Sequence, residues 1–117
     1  MARLVALRAA ADFQRVRATG QTWRGRGMTL NAAPWPGDGT SFRIGLIASR
    51  RVGGAVERNR ARRILREALR HLAPDVAPDW DLVFVAHPAL LSSKAAYRDA
   101  RDEIVWLLSK ARALRKT

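Results

Sequence analysis

The sequence predicts a single α+β domain, a sandwich of helices packed on one sheet in the order helix, strand, strand, helix, strand, helix, with room for one extra short strand. Three observations predict it. Short β-rich runs stand at 27–33, 42–49 and 81–86. Two longer stretches, 55–72 and the region after Ser93, carry apolar residues at three- and four-residue spacing. Glycine and proline clusters separate these segments. The 117 residues suit one domain spanning the chain, and about half of them are hydrophobic, enough for a core without metal or cross-links.

Residues 1–8 read as a flexible, basic N-terminal arm. From about Ala9 to Thr19, helix-forming alanines with Phe13 and Val16 give a short helix, which Gly20 stops. Gly27 to Ala33 reads as a strand, and Pro34, Pro36, Gly37, Asp38 and Gly39 as a turn cluster. Phe42 to Ser49 is the second strand, expected to pair with the first as a hairpin. Gly53 and Gly54 break the chain before a helix over about 55–72, which Pro74 and Pro78 end. Asp81 to Ala86 is a short apolar run read as a buried strand; because it follows a helix, it can run parallel to a neighbour. A final helix begins after Ser92 or Ser93, either of which could cap it. Tyr97, Ala100, Ile104, Leu107, Leu108, Ala111 and Leu114 form its buried stripe.

Charge says most about function. The formal charge is +12, and such an excess on a small domain repels itself unless a polyanion neutralises it. Nucleic acid is the commonest such partner and an anionic membrane surface the next. Residues 50–70 hold eight arginines against two glutamates, a net of +6, and residues 1–26 hold six arginines against Asp12. That clustering is what an RNA-binding face looks like in sequence. Of the basic residues only three are lysines. Arginine's planar fork suits phosphates and stacks on bases. The N-terminus has Arg3, Arg8 and Asp12 where a signal peptide needs an apolar core, and no run approaches the roughly 18 apolar residues of a spanning helix. The expected location is the cytoplasm.

In the segment 56–70, about 100° per residue places Ala61, Ile64, Leu65, Ala68, Leu69 and Leu72 on one arc. Asn59, Arg62, Arg63, Arg66 and Arg70 fall on the opposite one. Neighbours on that face stand about 5–6 Å apart, and like charges at i,i+4 destabilise a helix by a few tenths of a kcal/mol per pair. Glu67 can relieve Arg63 and Arg70, but no acid sits near Arg62. Phosphates along an RNA strand would supply the missing compensation. A membrane-surface helix would need a free apolar face, and this one is made of small and aliphatic residues suited to a sheet.

No catalytic constellation appears. The absence of cysteine removes disulfides, thiolate metal sites and cysteine nucleophiles. His71 and His87 lack a third metal ligand and an orienting partner. Asp75, Asp79 and Asp81 form an acidic cluster near a loop that could bind a cation weakly but reads rather as keeping RNA off one edge. Gly53-Gly54 lacks the lysine and spacing of a phosphate loop. Trp35, Trp80 and Trp106 read as structural, and Trp23, beside Arg24 and Arg26, as a possible stacking platform.

At Val52-Gly53-Gly54-Ala55-Val56-Glu57-Arg58-Asn59-Arg60-Ala61-Arg62-Arg63-Ile64-Leu65-Arg66 the chain closely resembles the "RNR" signature of the bacterial ribonuclease P protein family. Asp12 to Val16 is similar to that family's N-terminal helix, and Arg43 to Arg51 to the strand before the signature. The resemblance runs from about residue 9 to 114. It implies a left-handed β-α-β crossover and a non-catalytic protein subunit of a ribonucleoprotein endonuclease. The required catalytic RNA, with Mg²⁺ held mainly by that RNA, removes the 5′ leader of precursor tRNA. One protein would pair with one RNA, with no DNA or membrane partner. By that match Arg50, Arg51, Arg58, Asn59, Arg60, Arg62, Arg63, Arg66 and Arg70 would face the ribozyme, while Phe13, Arg17 and Asn31 would line the leader cleft. The chain departs from the family pattern in having Gly54 where asparagine is frequent, and Arg17 and Asn31 where aromatics are frequent.

A ribosomal or other structural RNA-binding protein of this fold class would share every compositional feature and differ only in its partner. A DNA-binding regulator fits less well, since no turn-and-second-helix unit precedes the arginine segment.

Overall fold

In the computed structural model, which describes residues 2–115, the three β-rich runs become the middle of one five-stranded sheet. The strands are β1 (Arg3–Ala6), β2 (Gln21–Arg24), β3 (Met28–Pro34), β4 (Ser41–Ala48) and β5 (Trp80–Ala86). The helices are α1 (Ala10–Thr19), α2 (Ala55–Leu72) and α3 (Ala96–Ala111). Sheet order is β1-β4-β5-β3-β2. The expected α+β class holds, and α2 has the expected bounds.

The expected hairpin of the two central strands does not form. β5 inserts between them, antiparallel to β3 and parallel to β4. The reason is burial: Leu82, Val83 and Phe84 are all fully buried, so β5 needs a neighbour on each side and cover on each face. The parallel β4/β5 pair is closed by the long crossover through α2, as a parallel connection requires.

Residues 3–6 are not a flexible arm. They form β1, parallel to β4 from Ser41 to Ile44. β2 is the other strand missing from the expected order. Both edge strands are four residues long and carry arginine, the short charged edges that discourage pairing with other chains. Their shortness and polarity hide them from a pattern search.

Alternation along the strands divides two cores. Met28, Leu30, Phe42, Ile44, Leu82 and Phe84 face α2 and α3 in the main core. Ala33, Val83, Ile47 and Val85 belong to the smaller core on the opposite face, with Val16 and Phe13 of α1. α1 covers only part of that face. On α3 the buried stripe runs through Ala96, Ala100, Ile104, Leu107, Leu108 and Ala111; Tyr97 is exposed, one position off it. Neither serine is the N-cap of α3, which is Ala95, although Ser93 Oγ accepts the Ala95 N–H at 3.0 Å.

Candidate nucleic-acid interface

The arginine helix is set by its N-terminal loop. Gly53 has φ +147°, and a Cβ there would lie 2.8 Å from Glu57 Cβ, so the turn into α2 requires glycine. Gly54 is extended and open; asparagine would fit, and its absence costs only a side-chain cap. The Glu57 carboxylate instead accepts the Gly54 N–H at 3.3 Å. Ala61, Leu65, Ala68, Leu69 and Leu72 are buried against the sheet and α3, while Ile64 is half-buried.

The opposite side of α2 is bare cationic surface. Asn59, Arg60, Arg63, Arg66 and Arg70 are exposed, and Arg58 and Arg62 half-exposed. Among the described residues the one ion pair on this helix is Arg70–Glu67 at 3.2 Å. Such an exposed pair is worth under about 1 kcal/mol and leaves Arg70 available. Arg62 Nη2 donates to Asn59 Oδ1 at 2.6 Å, which fixes its direction without neutralising it.

On the α1 side the uncovered part of the sheet forms a groove of about 530 Å³. Arg17, Asn31 and Arg51 line it together, with Thr22, Arg24, Thr29 and His87. The Asn31 side chain is nearly buried and donates through Nδ2 to Thr22 Oγ1 at 2.7 Å. His87 Nε2 lies 2.8 Å from Thr29 Oγ1, and Nδ1 3.4 Å from the Arg26 carbonyl. A carbonyl can only accept, so the Nδ1 contact needs an N–H there, and in the neutral ring Nε2 then accepts from the threonine hydroxyl. The groove therefore has an oriented polar floor and three arginines around it.

The structure redistributes the two expected sets. Arg51 joins the groove and not the α2 face. Arg50 is exposed in the loop before α2. Phe13 does not line this groove. It lies on Gly45 of β4, where an added Cβ would sit 2.3 Å from its ring, and it borders a separate hollow with Leu7, Leu46, Arg62, Arg66 and Arg70. Trp23 packs partly buried against the main core.

Thr22, Arg24, Thr29 and His87 escape a reading by sequence. Thr22 and Arg24 lie on the unrecognised strand β2, and His87 is oriented by a threonine 58 positions away. Asp81 also departs from expectation: it is fully buried and does not form part of a repelling edge. Arg43 grips it through two hydrogen bonds, Nε to Oδ1 and Nη2 to Oδ2, each 2.7 Å. Arg15 of α1 donates to the same Oδ2. The Asp81 carboxylate holds the Arg43 guanidinium above its ordinary range, and Trp35 stacks on that guanidinium at 4.5 Å. Across the molecule the Glu103 carboxylate accepts the backbone N–H groups of Arg26 and Gly27, at 3.1 and 2.8 Å, fixing the β2–β3 turn. No described helix is long and apolar enough to cross a membrane.

Residues 1–112 match the family model described as Ribonuclease P. The chain is 50% identical over 112 residues to the ribonuclease P protein component of Roseiflexus castenholzii, covering 95% of this chain and 88% of that one. It is 42% identical over 112 residues to the same component from Chloroflexus aggregans, with 95% and 80% covered. The fold is similar to the ribonuclease P proteins of Staphylococcus aureus (TM-score 0.81, 21% identity, 94% and 97% covered) and Thermotoga maritima (TM-score 0.79, 21%, 91% and 96%).

Proposed function

The chain belongs to the ribonuclease P protein family, and from that premise we propose that it works through two surfaces, the α2 arginine face against the catalytic RNA and the α1-side groove against the 5′ leader of precursor tRNA. Members of this family are the protein component of ribonuclease P, the ribonucleoprotein endonuclease that removes tRNA 5′ leaders with an RNA subunit.

The observation that carries the two-surface reading is the juxtaposition of Arg17, Asn31 and Arg51 around one open groove beside the loop that leads into α2. A leader strand lying there would meet guanidinium groups along its phosphates and hydroxyl, amide and imidazole groups along its base edges. Among the described residues no Phe, Tyr or Trp lines this groove, so the stacking worth about 1–3 kcal/mol per base elsewhere is left to the His87 imidazole and phosphate contacts carry more of the binding. Arg58, Asn59, Arg60, Arg62, Arg63, Arg66 and Arg70, with Arg50, would meet the catalytic RNA.

Hydrolysis of the phosphodiester belongs in this reading to the RNA and its Mg²⁺. Among the described residues no three His, Asp or Glu side chains stand close enough to share a cation, and Asp81 is occupied by two guanidinium groups. The protein supplies charge neutralisation and alignment of the leader, one copy per RNA, in the cytoplasm.

The chain has no cysteine, so a single introduced thiol can be derivatised uniquely. A photo-crosslinker on Thr22→Cys is expected to mark leader nucleotides, and one on Glu67→Cys the RNA subunit. Both crosslinks falling on the RNA subunit would reject the groove assignment.

A further inference from the structure

The salt-bridge cluster under α1 belongs to neither surface, yet it lies beside one of them, the groove. Asp81 is fully buried at the sheet centre, opposite Ala33 on β3 and Arg43 on β4. Two residues further, Val83 pairs with Asn31. At about 3.4 Å per residue, the clamp therefore lies one side-chain row, roughly 7 Å, from the groove floor. Arg15, which reaches down from α1 to Asp81, precedes Arg17 on the groove wall by two residues. Asp12 closes the cluster, 3.4 Å from Arg43 and 3.8 Å from Arg15.

Two acids and two arginines leave the cluster neutral, so it adds nothing to the groove's charge. Buried ion clusters of this kind are also weak sources of stability, since apolar replacements of equal volume often serve as well. What a forked, fully paired carboxylate does supply is direction: it fixes the height and rotation of α1 over the sheet. We propose that Asp81 is a positioning residue for leader binding, holding α1 through Arg15 so that Arg17 and Asn31 stand at the separation the leader needs. This rests on the groove being the leader site.

The test uses the reconstituted holoenzyme and compares its affinity for precursor tRNA with that for mature tRNA lacking the leader. Asp81→Asn and Arg15→Gln should each lower that leader-dependent ratio about tenfold, the loss of roughly one contact, while affinity for the catalytic RNA stays within about twofold. The two variants change local charge in opposite directions, so a purely electrostatic effect would strengthen leader binding in Asp81→Asn and weaken it in Arg15→Gln. Arg8→Gln removes a charge beside α1 without touching Asp81 and should leave the ratio unchanged. If Asp81→Asn does not fold, Arg15→Gln read against Arg8→Gln decides the matter, because both remove one positive charge and Arg15→Gln leaves the Arg43–Asp81 pair intact. A folded Arg15→Gln with the wild-type ratio, tighter leader binding by Asp81→Asn, or an equal loss in Arg8→Gln would overturn the proposal. A wild-type holoenzyme indifferent to the leader would instead reject the groove assignment beneath it.

Discussion

Replacing Arg62 and Arg66 with alanine offers a quantitative test of the α2 face. Six arginines stand on this helix, and the one carboxylate paired with any of them among the described residues is Glu67. If each arginine neutralises one RNA phosphate, counterion release at about 0.7–0.9 per phosphate gives a slope of log affinity against log salt of about −4 to −5. A fivefold rise in salt then weakens binding by roughly three to four decades. Removing two arginines should flatten the slope by about 1.5 and reduce the loss over the same range to roughly two decades or slightly more. Neither side chain contributes to the buried core, so the variant should melt within a few degrees of the parent. The assay is direct titration of the catalytic RNA with labelled protein at four or five salt concentrations. An unchanged slope in the folded double variant would refute the assignment of these two arginines to phosphates.

Two further expectations concern the scaffold. Gly20→Ala would place a Cβ 2.4 Å from the Val16 carbonyl oxygen and 2.8 Å from that of Ala32, both backbone atoms that cannot step aside. It should cost about 2–3 kcal/mol, lowering Tm by roughly 10 °C; a wild-type Tm in calorimetry would contradict the close approach of α1 and β3. Glu103→Ala removes the acceptor for the Arg26 and Gly27 N–H groups, and should cost about 1–3 kcal/mol. Amide hydrogen exchange should then accelerate at Gly27 while the β5 amides keep their protection, and unchanged protection at Gly27 would show that the turn holds without Glu103.

Helix α2 was legible because independent signals coincide: the glycine pair before it, an apolar stripe along it, and Pro74 after it. The class of the fold followed from the same kind of periodicity. Strand order did not, because which strand lies beside β5 depends on how much of its two faces needs cover, a tertiary quantity that the run 34–39 between β3 and β4 does not encode. β1 and β2 were invisible for a related reason: an edge strand has no need of an apolar run. The α2 residues of the candidate interface were legible from charge placement alone. Its groove was only half so, since Thr22 and His87 become partners of Asn31 and Thr29 through cross-sheet pairing. Asp81 was misjudged because a buried acid and a surface acid look alike until Arg15 and Arg43 are brought onto it.

The most direct test is cleavage of a 5′-labelled precursor tRNA by a bacterial ribonuclease P RNA, at a magnesium concentration where the RNA alone is slow, with and without this protein. The protein is expected to restore cleavage at the mature 5′ end, and Arg62→Ala with Arg66→Ala to abolish the rescue. Protein that binds the RNA yet leaves the cleavage rate and site unchanged would contradict that expectation.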